Sequence, residues 1–133
     1  MVLLDTHALF WLVEGVDRLG ARARRMCDQT LRTGTLCISA ISFWEAALLQ
    51  ARARINLPVG TLKWRQEILR VGLKEISIDG EIGIAATTLE KLHADPADRI
   101  IVASAVQLGA TLVTADRRIL EWSGLLTRHD ART

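Results

Sequence analysis

Four carboxylates in this 133-residue chain occupy the same kind of place. Asp5 ends the apolar run Val2-Leu3-Leu4. Glu45 falls in the first turns of the helical stretch after "TLCIS". Asp98 lies in the first turn of "DPADRIIVASA", and Asp116 directly follows "TLVTA". Each has an ordinary explanation. Ser42-Phe43-Trp44-Glu45 reads as a capping box. Asp95-Pro96-Ala97-Asp98 reads as an Asp N-cap, a Pro at the first helical position and an acid favoured by the helix dipole. Thr114-Ala115-Asp116 reads as a capped turn, and Asp5 as a cap of the helix that follows it. Gathered within a few ångströms, however, four carboxylates repel one another and raise one another's pKa. A hard divalent cation resolves that repulsion better than helix N-termini do. Mg²⁺ or Mn²⁺ prefers oxygen ligands and often keeps several waters. A carboxylate-held metal activates water, orients a phosphate and stabilises charge on the attacking and leaving oxygens, which is the chemistry of phosphodiester hydrolysis. Thr6 and Thr114 stand beside two of these acids, where a hydroxyl orients a ligand water or simply caps a helix.

For the acids to meet, the chain must bring them to one edge. The pattern alternates short β-type runs with helical periodicity. "MVLLD", "TLCIS", "LKEISID", "ATLVTAD" and "LLTR" read as strands. "HALFWLVEG", "GARARRMCDQTLRTG", "SAISFWEAALLQARARI", "VGTLKWRQEILRVG", "DPADRIIVASAVQLG" and "RRILEWSG" read as helices, and "GEIGIAATTLEKL" as a poor one, weakened by Gly83 and two threonines. Strands alternating with helices predict an α/β fold with a parallel sheet covered on both faces. In such sheets a site forms outside the carboxyl ends of the strands. All four acids lie at strand ends or helix starts, so the fold class predicts that they converge.

Composition bounds the rest. The length fits one domain with a real core. Half the residues are apolar and net charge is +2, which is too mild to imply nucleic-acid binding by itself. Of the 17 basic residues 14 are Arg, whose fork suits phosphate and carboxylate partners. Cys27 and Cys37 form no C-x-x-C pair, so neither zinc nor dithiol chemistry is indicated. Ile100–Val113 is too short for a membrane span and contains Ser104, Gln107 and Thr111. A soluble cytoplasmic protein is expected, with no membrane partner.

Arg22, Arg24 and Arg25, with Arg52 and Arg54, form two basic clusters that read as solvated helix faces or as RNA phosphate contacts. Arg99 reads as a carboxylate partner. Trp11, Trp44, Trp64 and Trp122 read as core or interface before base-stacking groups. His7 and His93 read as hydrogen-bonded structural groups. The apolar helices over residues 39–72 suit core packing or a partner helix equally. An aspartyl phosphatase wants a second Asp two residues after the first, where His7 stands. A phosphoacceptor receiver wants a paired acid after the first strand and a late Lys, and Lys63, Lys74 and Lys91 are not so placed.

"LLDTHALFW", "ISAISFWEAAL", "HADPADRIIVASA" and "TLVTADRRI" resemble, in order and spacing, the motifs of PIN-domain nucleases, most of all the VapC-type toxins of bacterial toxin–antitoxin pairs. The similarity runs over nearly the whole chain and implies a single PIN domain over residues 1–133. It implies a three-layer α/β/α sandwich with a central parallel sheet. It also implies a Mg²⁺- or Mn²⁺-dependent endoribonuclease, restrained by a cognate antitoxin and often a homodimer. Carried over by motif position, Asp5, Glu45, Asp98 and Asp116 are the catalytic acids. Asp5 is then the central metal ligand, Asp98 and Asp116 complete the metal site, and Glu45 binds metal or positions the attacking water. The second Asp of "HADPADR" is the family's acid, which leaves Asp95 as a helix cap. Leu49 stands where relatives often carry a Lys, and Ala97 where they usually carry an aromatic. A catalytically silent PIN-like binding module is the alternative within this family.

Overall fold

The computed structural model describes residues 1–133. Its elements are β1 (Val2–Leu4), α1 (Thr6–Glu14), α2 (Ala21–Thr33), β2 (Leu36–Ser39), α3 (Ala40–Ala51), α4 (Thr61–Val71), β3 (Lys74–Ile76), α5 (Gly80–Thr87), α6 (Pro96–Leu108), β4 (Thr111–Thr114), α7 (Arg117–Leu120) and β5 (Arg128–Asp130). The five strands form one sheet in the order β3-β2-β1-β4-β5. Every pairing is parallel. The chain leaves β1 toward β2 and later returns to its other side as β4. That reversal opens a crevice at the carboxyl end of β1, the usual place for a site in such sheets.

Side-chain alternation along β1 explains the layers. Val2 and Leu4 point to one face, where they join Leu9, Phe10, Cys27, Leu36, Ile38, Trp64 and Ile68 from α1, α2, β2 and α4. Leu3 points to the other, with Cys37, Ile101, Val102, Ala105, Leu112 and Ile119 from β2, α6, β4 and α7. Leu3, Leu4, Leu36, Ile38, Leu112 and Val113 are fully buried. Strands buried on both faces read as unbroken apolar runs, which is why they were legible without alternation. The result is the expected three-layer α/β/α sandwich.

Register sets the height of the site. Leu4 is level with Ile38 of β2 and Val113 of β4. The next residues, Asp5, Ser39 and Thr114, therefore emerge side by side at the rim. The Asp5 amide extends the ladder by donating to Val113 O at 3.1 Å.

The longest buried helix, α6, has both ends written in sequence. Asp95 accepts from Asp98 N at 2.9 Å, Pro96 occupies the first turn, and Gly109 closes the helix at φ 62°. The C-terminal segment runs against the start of α2. Gly20 N donates to Ala131 O at 2.8 Å and Arg22 N to Thr133 O at 2.9 Å. A Cβ on Gly20 would lie 2.3 Å from the Thr133 carbonyl carbon, so this approach requires glycine.

Several boundaries differ from the sequence reading; helix α3, for one, ends at Ala51 and not at Ile55. The last strand is Arg128–Asp130, not "LLTR", because Arg128 pairs with Leu112 while Leu125 stands 93% exposed in the preceding turn. The weak helix α5 stops at Thr87, well before Leu92. Helix α3 begins at Ala40 with Ser39 as its cap, accepting from Ile41 N at 3.2 Å, so Ser42-x-x-Glu45 is not a capping box. Trp64 is core, whereas Trp44 is 56% exposed. Cys27 and Cys37 are buried and unbridged. No helix is long and apolar enough to cross a membrane.

Candidate metal centre

Asp5, Glu45, Asp98 and Asp116 line one cleft of about 440 Å³, together with Thr6, His7, Trp11, Asp95, Ala115, Arg118 and Arg132. The topology delivers them as the strand ends predict. Asp5 follows β1, Asp116 follows β4, Glu45 rises from α3 after β2, and Asp98 sits in the first turn of α6. The two Arg clusters at 22–25 and 52–54 do not line the cleft. Its basic side chains are Arg118 and Arg132 instead.

Asp5 is the most enclosed acid, only 7% exposed. One oxygen caps α1, accepting from Ala8 N at 2.8 Å. The other accepts from the Thr114 hydroxyl, which in turn accepts from Asp116 N at 3.1 Å. Burial pushes the Asp5 carboxyl up from its ordinary 3.8 to about 6, although the Thr114 and Ala8 hydrogen bonds pull it down. Glu45 is held similarly. The Thr6 hydroxyl donates to its Oε1, and Ser42 Oγ lies 2.9 Å from that hydroxyl. Ser42 is thus a buried partner inside the helix and not its cap. Burial raises the Glu45 carboxyl too, against the Thr6 hydrogen bond.

Asp98 and Asp116 have cationic or ionisable partners. His93 Nε2 lies 2.6 Å from Asp98 Oδ2 and 4.0 Å from Asp116 Oδ2. Donor atoms of His93, Asp98 and Asp116 all fall within 4.8 Å of one another. Burial raises the Asp98 carboxyl, with the His93 hydrogen bond opposing it. Asp116 goes the other way. Burial works against its charge, but the Arg118 hydrogen bonds and charge outweigh it and hold the carboxyl below its ordinary value. Arg118 grips Asp116 with three donors: its amide at 2.9 Å, Nε at 3.1 Å and a terminal nitrogen at 2.8 Å.

This donor set fits a hard divalent cation. Its carboxylate oxygens converge, and no protein group hydrogen-bonds Glu45 Oε2 or Asp98 Oδ1. Three of the four carboxyls are pushed toward their neutral forms by burial, a cost that a bound cation removes.

Sequence reasoning missed Arg118, since nothing in "ADRR" says which Arg folds back on the acid. It placed Asp95 correctly as a cap. It misread Arg99, which pairs with no carboxylate. The Arg99 guanidinium donates to the carbonyls of Ala86 and Leu92 at 2.8 Å, Leu89 at 3.1 Å and His93 at 3.2 Å. Those four bonds fix the segment that carries His93.

The model of the PIN domain family matches residues 2–124. The chain is 34% identical over 119 residues to Ribonuclease VapC22 of Mycobacterium tuberculosis, covering 89% of this chain and 88% of that protein. Its fold is similar to that of DNA-bound VapBC from Salmonella typhimurium, with a TM-score of 0.70 at 19% identity over 97% of this chain and 96% of that one. It is also similar to VapBC2 from Rickettsia felis bound to a promoter DNA fragment, with a TM-score of 0.69 at 18% identity over 98% and 100% of the two chains. The family match spans nearly the whole chain, and the 34% identity covers 89% of it: the chain belongs to the PIN-domain family and is of the VapC type.

Proposed function

We propose that this protein, a single PIN domain over residues 1–133, is a Mg²⁺- or Mn²⁺-dependent endoribonuclease toxin. The observation that carries the proposal is the convergence of carboxylates from positions 5, 45, 98 and 116 into one cleft. Asp5 is the central ligand, with Asp98 and Asp116 completing the site and Glu45 binding metal or positioning the attacking water. A bound Mg²⁺ or Mn²⁺ supplies Lewis-acid charge to the scissile phosphate and lowers the pKa of a coordinated water.

The remaining groups orient these acids. Thr114 sets the rotamer of Asp5, Thr6 that of Glu45, and His93 that of Asp98. The unpaired Oε2 of Glu45 is placed to accept a proton from the attacking water. Burial, which raises that carboxyl, favours its taking up a proton. The exposed Arg22, Arg25, Arg52 and Arg54 lie beyond the cleft, where they suit flanking RNA phosphates.

A cognate antitoxin is the partner that fits the second large cleft. This one has a volume of about 440 Å³ and is mainly apolar, lined by Leu12, Val13, Leu31, Trp64, Ile68 and Val71 among others. The two solved relatives above are VapBC proteins, which supports a partner of this kind. A homodimer and a cytoplasmic location belong to the same reading, and light scattering of the purified chain tests the first.

The deciding experiment incubates the purified protein with RNA. Cleavage is expected with Mg²⁺ or Mn²⁺ and is expected to stop with EDTA, with Asp5→Asn and with Asp98→Asn. Equal cleavage by folded protein in all four conditions would overturn the proposal. Trapping of an acyl-phosphate on Asp5 would favour a phosphatase instead.

A further inference from the structure

The cleft already contains a cation of its own. Arg118 Nε and a terminal nitrogen take the two oxygens of Asp116 at 3.1 and 2.8 Å. The same terminal nitrogen lies 3.7 Å from Asp98 Oδ2. It therefore stands between the two carboxylates that the metal-dependent reading assigns to Mg²⁺ or Mn²⁺. The Arg118 side chain is 61% exposed and has hydrogen bonds to nothing but Asp116. Both of its anchors, Asp116 and Asp98, are groups it would have to release. Arg132, the other arginine of the cleft, pairs instead with Asp130 at 3.4 Å and touches none of the four acids.

We propose that Arg118 is an internal stand-in for the metal: it bridges Asp98 and Asp116 in the metal-free protein and is displaced toward the mouth of the cleft when the divalent cation binds. The inference rests on the proposed metal-dependent function and adds a competitor to it. Two cations do not share one pair of carboxylate oxygens without repulsion, whereas a flexible, largely exposed side chain leaves at little cost. Arg118 thus keeps the acids together before metal arrives and lowers the apparent metal affinity. It is a positioning residue and not a catalytic one.

The test measures metal binding without substrate. Mn²⁺ is titrated calorimetrically into the wild type, Arg118→Ala, Arg118→Lys and Arg132→Ala. In parallel, the Arg118 Nε–H resonance is followed by NMR as Mg²⁺ is added. Removing Arg118 is expected to tighten Mn²⁺ binding roughly two- to fivefold, the scale of an exposed ion pair. Arg118→Lys is expected to tighten it as well, since the charge stays but the two-pronged grip is lost. Arg132→Ala is expected to leave it unchanged. The Nε–H signal is expected to move to the position of a free arginine at saturating Mg²⁺.

Unaltered affinity in Arg118→Ala, or an Nε–H signal indifferent to saturating Mg²⁺, would overturn the inference while leaving the metal-dependent reading intact. An equal gain from Arg132→Ala, with Arg118→Lys behaving like wild type, would reduce the effect to general charge and overturn it too. Absence of Mn²⁺ binding in every folded variant would overturn both readings together.

Discussion

The two halves of the acidic cleft are held in different ways. Asp5 and Glu45 are oriented by neutral hydroxyls, from Thr114 and Thr6. Asp98 and Asp116 are oriented by an imidazole and a guanidinium, from His93 and Arg118. Hydroxyls fix geometry without cancelling charge, so burial still disfavours the ionised form of both carboxyls in the first half. The second half has a cation partly supplied, which is why the Asp116 carboxyl sits below its ordinary value while Asp5 sits far above. One cleft therefore combines three carboxyls that burial raises, Asp5, Glu45 and Asp98, with one, Asp116, whose charge Arg118 already compensates.

The largest expected effect tests which half matters more. Asp5→Asn should lower RNA cleavage at least about a hundredfold, the several kcal/mol that metal-held charge contributes to the transition state. Asp116→Asn should lower it less, because Asp116 is a less enclosed ligand that completes the site, whereas Asp5 is its buried central one. Initial rates on one labelled RNA compare the two, and equal losses would erase the distinction between the halves.

Next comes pH. Without metal, the native Asp5 carboxyl holds its proton up to about 6, whereas the unfolded chain releases it near 3.8. The native state then binds more protons across that window, so stability is highest below it and falls as pH rises through 6. The difference corresponds to roughly 3 kcal/mol at pH 7. Urea denaturation in EDTA should show that fall in the wild type and a flatter profile in Asp5→Asn. Asp116 contributes in the opposite sense, losing stabilisation as pH drops. A wild-type profile that rises from pH 4 to 7 would contradict the assignment.

Removing the Thr114 hydroxyl with Thr114→Val should weaken metal binding on the order of tenfold, since it frees Asp5 to rotate. Thr6→Val should act more weakly, through Glu45 alone, and calorimetric titration ranks the pair. The smallest effect belongs to the other Asp of "DPAD". Asp95→Ala should cost about 1 kcal/mol of stability through loss of the α6 cap while retaining cleavage. A loss of activity comparable to Asp98→Asn would place Asp95 in the chemistry.

What the sequence made legible follows from locality. Asp95-Pro96 and Gly109 fix α6 by backbone preferences within a few residues. The apolar runs of β1, β2 and β4 mark strands buried on both faces, and the acid at the end of a strand inherits its position from the register. Long-range partners were another matter. Thr6 reaches Glu45 across 39 positions and Thr114 reaches Asp5 across 109, with no local signal. The capping-box pattern at Ser42 was a local coincidence, defeated because Ser39 at the end of β2 already caps α3. Arg99 looked like an ion-pair residue by adjacency, yet an inward-facing guanidinium in a carbonyl-rich turn finds four acceptors without a carboxylate. The edge strand β5 is polar and paired on one side only, so apolar patterning pointed to Leu125 and Leu126 instead.

The hydrogen bond between Thr114 and Asp5 also has a consequence in time. A ribosome delivers the chain from its N-terminus at about 5–20 residues per second. The first acid emerges early, but its rotamer is set by a residue 109 positions later. Two of the other three acids, Asp98 and Asp116, are likewise made late, and β1 lacks its second neighbour until β4 exists. The nascent chain therefore carries no assembled cleft until β4 and the two residues after it have been made, and the four acids come together in one late step rather than one by one.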